Sequence, residues 1–551
     1  LSISLIRTLV HYPIHKLLCF KRFGEMIMKT SNRRLLIIGL DGLEISYAEK
    51  LMAAGQMPAL AALQERSAKF LLDHGAAQRT GLAWEHVASG LSPQDSDRWS
   101  AVEFDPATYE ARQAGARFVP FLASLNARVT VFDPPYFDLD QCAQVQGVVG
   151  WGAHDPGIEL AASPPALLPE LQQRFGLYPS SEWTYACPCH SSERCQNMGA
   201  ALAEAVRTRQ QIARWLLTEQ CPDSEIFFVV TGEIHSAIEG LWHGVDPLHP
   251  LHTHPSAPAA AAALLEVHQA VDRMIGDLID ADPEAEVIAF AMGGMGCNYS
   301  DLQSMALLPE LLYRHTFKRS RLRIPKRWSA LAEGVPQLQA DEHWDSSKSQ
   351  WFANQFANWF SIFRPQSPKG NLWWHNAMQY QPGWHQMPAF ALPSFYDGKI
   401  RINLQGREQQ GRVALEDYET VCAQLEALIR QCRDPRLDAP AVAQIERPDI
   451  SHPFELSSSD ADMTIVWNSP ANALTHPDYG TIGPLPFRRT GGHTGAYGVA
   501  LIASPHIQPG FQGVRSSFDM MPTIVNWFQE TPCVPLSGRS LCKLEGQSEE
   551  R

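Results

Sequence analysis

Short, almost wholly apolar runs punctuate the chain, and four of the six end on glycine or a carboxylate. They are "RLLIIGLD" (34–41), "RVTVFD" (128–133), "EIFFVVTG" (225–232), "EVIAFAMG" (286–293), "MTIVW" (463–467) and "GVALIAS" (498–504). Runs of this length, without polar alternation, predict strands buried on both faces. Between them lie amphipathic stretches such as 200–218 and 257–280, which predict helices. Strands alternating with helices predict an α/β fold, a mainly parallel sheet sandwiched by helices. The texture changes over 316–385, where "KRSRLRIPKRW", "WFANQFANWFSIF" and "NLWWHNAMQYQPGW" carry basic residues and tryptophans without a strand pattern. This segment is expected to be an inserted cap, dividing a core of 31–315 and 386–545.

The ends are expected to lie outside the fold. Residues 1–30 begin at Leu1 and mix apolar residues with Arg7, His11, His15 and Lys16, which does not read as a signal peptide. They read as an N-terminal extension, with either a non-standard start codon at Leu1 or a start near Met26 or Met28, and 546–551 read as a polar tail.

Composition narrows the partners. The 551 residues are 45% hydrophobic and 19% charged, ordinary for a folded protein, with a net charge of −14. That balance argues against a nucleic-acid polymer or an anionic membrane as partner, since both need basic surfaces. No run reaches the roughly 18–20 apolar residues of a membrane span. Eleven cysteines without regular spacing suggest free thiols in a reducing compartment, hence a cytoplasmic location. The cluster "CPCHSSERC" (Cys187, Cys189, His190, Cys195) matches no common zinc spacing and reads as a loop.

Four places hold candidate chemistry. Asp41 stands at the end of the first strand run, where open α/β sheets place ligands, although a short polar residue there also suits a helix cap. Thr80, in "QRTGLAWEHVASGLSP" (78–93), precedes a helix expected to begin at Ala83 or Trp84. Its hydroxyl would face free backbone N–H groups that favour an anion, or simply cap the helix. In "TGEIHSAIEGLWHG" (231–244), His235 and Glu239 are four apart and share a helix face, suiting either a metal or an ion pair. His493 lies in the glycine-rich "RRTGGHTGAYG" after Arg488 and Arg489, as a ligand or as an ordinary loop histidine.

The order of these features resembles the alkaline phosphatase superfamily, and within it the type I phosphodiesterase/nucleotide pyrophosphatase branch. Supporting stretches are "SGLSPQ", "GREQQG" (406–411) and the tail "SFDMMPTIVNWFQETPCVPLSGRSL", so the resemblance runs from about 33 to 543 with the cap unmatched. It implies a hydrolase of phosphate esters, of the phosphodiester or nucleotide pyrophosphate type, using divalent metal, usually zinc. It assigns the nucleophile to Thr80, ten residues before Gly90, the first metal-site aspartate to Asp41 and the late metal histidine to His493. His235 and Glu239 occupy places where the family carries Asp and His, and both remain competent ligands. Met292 and Gly293 occupy the places of a ligating Asp and His, and neither can serve for a hard or borderline ion. The metal set thus becomes Asp41, Thr80, His235, Glu239 and His493, with one ion expected rather than two. Arg488 and Arg489 are expected to bind substrate phosphate. The alternatives are a non-catalytic relative that binds a phosphate ligand and a phosphoryl-group transferase.

Overall fold

The computed structural model describes residues 33–152, 159–185, 191–329, 372, 375–530 and 535–542. The extension 1–30, the polar tail, most of the cysteine cluster and the cap tryptophans Trp351, Trp359, Trp373 and Trp374 lie outside the described residues.

The first apolar run forms β1 (Leu35–Leu40), buried at every position. Chain order continues with β2 (Ala68–Asp73), β3 (Val129–Phe132), β4 (Val145–Val149), β5 (Ala161–Ser163), β6 (Ile226–Thr231), β7 (Glu286–Ala291), β8 (Gly498–Ala503) and β9 (Gly510–Ser516). These strands make a nine-stranded sheet in the order β9-β2-β8-β7-β1-β6-β3-β4-β5. β1 pairs parallel with both β6 and β7. β8 pairs antiparallel with β2 and β7, and β5 antiparallel with β4, so the sheet is mainly parallel.

Alternate residues of β1 feed two cores. Leu36, Ile38 and Leu40 pack with helices α1 (Ile45–Ala53), α2 (Pro58–Glu65), α3 (Ser192–Trp215), α4 (Glu233–Leu241) and α5 (Ala257–Ala281). Leu35 and Ile37 pack on the opposite face with Trp84 and Val87 of the helix Ala83–Ser89 and with Met520 and Ile524 near the C-terminus. Each such buried Leu or Ile contributes about 1.5–3 kcal/mol relative to exposure. That double burial is why the strand reads as an unbroken apolar run.

The run 463–467 is a strand, but not of this sheet. It joins Ala389–Leu392, Gly398–Ile402 and Val442–Glu446 in a separate four-stranded sheet whose pairings are all antiparallel. This second sheet shares a third core with the helices Leu308–Phe317 and Tyr418–Arg430. "GREQQG" supplies its polar frame: half-buried Arg407 binds buried Asp462 at 2.7 Å, and Glu408 binds Arg401 at 2.8 Å, both buried. Among the described residues no helix is long and apolar enough to cross a membrane.

Candidate active site

Because β1, β6 and β7 run parallel, their carboxyl ends open on the same edge of the sheet. Asp41 follows β1, and its backbone N–H donates to Thr231 O at 3.0 Å. Gly42 then turns with φ +75°, and a Cβ there would lie 2.6 Å from the Cα of His235. Only glycine therefore lets α4 close against the end of β1. α4 begins directly after β6, and its first residue, Glu233, is anchored to fully buried Arg209 at 2.9 Å. Arg209 also binds Asp133 at 2.9 Å.

The helix period does what the spacing predicts: His235 and Glu239 face the same way, with Nε2 and Oε1 3.7 Å apart. His235 Nδ1 meets Asp41 Oδ2 at 3.0 Å. Its Nε2 meets Nε2 of His493 at 3.0 Å. His493 is carried by the strand Gly491–Gly495, paired antiparallel with Gly294–Cys297 just beyond β7. Gln78 Nε2 fixes that strand by donating to the carbonyls of His493 and Gly495, at 3.0 and 3.1 Å. Four candidates distant in the sequence, Asp41, His235, Glu239 and His493, are thus in one place. Burial works against charge on His235, but Asp41 and then Glu239 outweigh it and raise its pKa to about 10.

Three candidates sit differently. Thr80 ends the 3₁₀ turn Gly75–Thr80, and its hydroxyl is engaged locally. It donates to Ala77 O at 2.8 Å and accepts from Leu82 N at 3.1 Å. Its neighbours Gly81 and Ala83 line the pocket beside Asp41. Arg489 pairs with Glu239 and, at 2.8 Å, with Asp301. Arg488 reaches the same Asp301 at 3.2 Å. Burial would raise Asp301, yet the two guanidinium groups hold it down to about 2.

Further pocket residues have no sequence signal: His74, Gln78, Trp84 and Tyr396 line it together with Met292 and Gly293. His74 stacks between the turn and the C-terminal segment, with Nδ1 against Ser517 Oγ and Nε2 3.1 Å from His86 Nδ1. Burial lowers its pKa to about 4, only partly opposed by Asp73. It is therefore a neutral ring at pH 7.

The donor chemistry suits a divalent ion on one side of the pocket. In a tetrahedral zinc site with bonds of about 2.1 Å, ligand atoms are about 3.4 Å apart. The 3.0 and 3.7 Å separations from His235 Nε2 to His493 and Glu239 fall on either side of that value. As the side chains stand, however, no group of three His, Cys, Asp or Glu among the described residues is arranged to hold a metal. Arg489 occupies Glu239, and Asp41 holds the other nitrogen of His235. On the other side of the pocket Met292 and Gly293 stand beside Asp41.

No family model matches the chain, and no curated protein matches it. Among solved structures it is similar to phosphonoacetate hydrolase from Sinorhizobium meliloti 1021 in complex with phosphonoformate. That match has 14% identity, covers 89% of this chain and 94% of the other, and has a TM-score of 0.43. It is also similar to human ectonucleotide pyrophosphatase / phosphodiesterase 5, at 11% identity, 92% and 97% coverage and a TM-score of 0.44. The murine protein in an inactive form with AMP gives 12% identity, 92% and 97% coverage and a TM-score of 0.42. Likeness at this level carries no argument about chemistry, which rests on the residues above.

Proposed function

We propose that this chain is a hydrolase of small phosphate or phosphonate esters, acting at the pocket at the carboxyl ends of β1, β6 and β7. The observation that supports this reading most is the meeting of Asp41, His235, Glu239 and His493 from three separate segments. In this reading His235, Glu239 and His493 hold a divalent metal of the zinc type, once Arg489 has moved off Glu239. The metal, when bound, would polarise a phosphoryl oxygen. Thr80 would be the nucleophile. Its Oγ, released from Ala77 O, attacks phosphorus, the ester bond to the alcohol breaks, and the hydroxyl proton leaves with that alcohol. Water then cleaves the Thr80–phosphoryl bond and restores the hydroxyl. Asp41, hydrogen-bonded to Nδ1 of His235, would fix the orientation of that ligand. The diester and pyrophosphate classes, zinc as the ion and Arg488 and Arg489 as phosphate contacts remain parts of the same proposal.

The test is hydrolysis of 4-nitrophenyl esters by protein purified without chelator, with metal counted per chain. Thr80→Ala should lower kcat at least about a hundredfold. His493→Ala should remove the metal. Full activity in the threonine variant, or full metal content in the histidine variant, would overturn the assignment.

A second reading is a binder of phosphate ligands without turnover. Specific features favour it: Met292 and Gly293 at ligand places, Arg489 on Glu239, and a Thr80 hydroxyl spent within its own turn. Absence of turnover on several phosphate and phosphonate esters with zinc or manganese added, alongside measurable binding of the same anions, would favour it.

A further inference from the structure

The wall of the pocket formed by Tyr396 belongs to a different part of the fold from every other lining residue. The rest come from segments 41–84, 235, 292–293 and 493, all attached to the nine-stranded sheet. Tyr396 comes from the connection between Ala389–Leu392 and Gly398–Ile402 of the second sheet. Its ring lies edge-on to His493, with centroids 4.9 Å apart and planes at 76°. It also rests on the turn that follows Thr80: a Cβ at Gly81 would stand 2.6 Å from the Tyr396 ring. Gly81 has φ +71°, so both the turn and the ring above it require glycine.

The segment that carries the ring is tied down by its neighbours. Arg79, immediately before Thr80, binds Asp397, immediately after Tyr396, at 3.2 Å. The same guanidinium contacts Glu446 of the second sheet. Ser304 donates to the Tyr396 carbonyl at 2.5 Å. Tyr396 is half-buried and lines the pocket.

We propose that Tyr396 is a specificity-determining residue, a rigid wall that limits the size of the group borne by the phosphorus of the bound anion. The anion class rests on the hydrolase reading; the wall itself does not require turnover. A packed aromatic ring excludes bulk more sharply than a loose aliphatic chain, because turning it would open its contacts with His493 and Gly81, and moving the backbone that carries it would break the Arg79–Asp397 pair. A misfit of a few atoms in a closed pocket is worth roughly ten- to two-hundredfold.

The test compares binding of methylphosphonate and phenylphosphonate by calorimetry, using the full chain with zinc supplied. The wild type should bind methylphosphonate at least about tenfold more tightly. Tyr396→Ala should abolish that preference by gaining affinity for phenylphosphonate, Tyr396→Phe should keep it, and Tyr396→Trp should sharpen it. Loss of affinity for both ligands in equal proportion in Tyr396→Ala would mean a structural role and overturn the proposal. A Tyr396→Phe variant that behaves like Tyr396→Ala would overturn it too, since the hydroxyl rather than the wall would matter. Discrimination without hydrolysis would sink the hydrolase reading and sustain this one. Failure of the wild type to bind either anion would sink both.

Discussion

His268 shows what burial does to a single titratable ring in this protein. It lies on α5 with Nδ1 2.8 Å from Leu264 O and packs edge-on to Tyr47 with centroids 5.2 Å apart. Nδ1 carries the proton for that carbonyl, so Nε2 is a lone pair, buried without a partner. Adding a proton there would leave a charge with nothing to receive it, and burial lowers the pKa to about 4. The unfolded chain takes that proton near pH 6.5, the folded chain only near 4. Stability is therefore lost as pH falls through this window, by about 3 kcal/mol for this group. Between pH 7 and pH 4, His268→Leu should lose about 3 kcal/mol less than the wild type in urea denaturation. Parallel pH profiles for the two proteins would refute the assignment. At this scale the sequence is readable where geometry is local. Asp41 at a strand end and His235 four before Glu239 can be located from spacing alone. The orientation of the Thr80 hydroxyl and the pairing of Arg488 and Arg489 with Asp301 depend on distant chain, which spacing does not encode.

The element that matters most for the site is α4, and its position depends on charges it does not display. Glu233, its first residue, and Asp133 share fully buried Arg209, and Asp133 also accepts from the N–H groups of Trp151 and Gly152 at 2.9 and 2.7 Å. Thr231, at the end of β6, donates to Glu233 at 2.7 Å and fixes the turn from strand to helix. Breaking a buried pair strands the remaining charges, at a cost of about 3–5 kcal/mol. Arg209→Met should lose that much stability and lower any ligand affinity of the pocket, while the triple variant Arg209→Met, Glu233→Gln, Asp133→Asn should recover part of the stability. Denaturation midpoints decide it, and an unaffected single variant would contradict the anchor. Element by element, the doubly buried strands were legible because every residue meets a core. β2 alternates between buried and half-exposed, and β9 is mostly exposed, so neither carries an apolar run. "MTIVW" carries one for another reason, since it lies inside the third core rather than the nine-stranded sheet. An apolar run reports burial, not which sheet a strand joins.

For the whole molecule, the mainly parallel sheet brings segments more than 450 residues apart to one edge, and the second sheet closes the pocket over them through Tyr396. The alternation of strand and helix announced the first layer. The second came as short antiparallel strands within segments of mixed texture, and its share of the pocket had no linear signature. The molecule also determines which repair of the missing ligands is tolerable. Met292 is 3% exposed and packs in the apolar cluster behind β1. A carboxylate there would be desolvated, so Met292→Asp should cost about 1–3 kcal/mol in metal-free protein. Gly293 is different: a Cβ there would meet nothing closer than Gln78 at 3.8 Å. Histidine at that position adds an imidazole at the pocket wall next to Asp41 without displacing backbone. Gly293→His alone should therefore fold as the wild type does, retain more zinc per chain after dialysis, and raise hydrolysis of methyl 4-nitrophenyl phosphate by about tenfold or more, equivalent to about 1.4 kcal/mol of barrier. Elemental analysis and the melting temperature are read on the same preparation. A stable Gly293→His protein with no gain in zinc would mean that this half of the pocket has been reshaped around Gln78 and does not accept an ion.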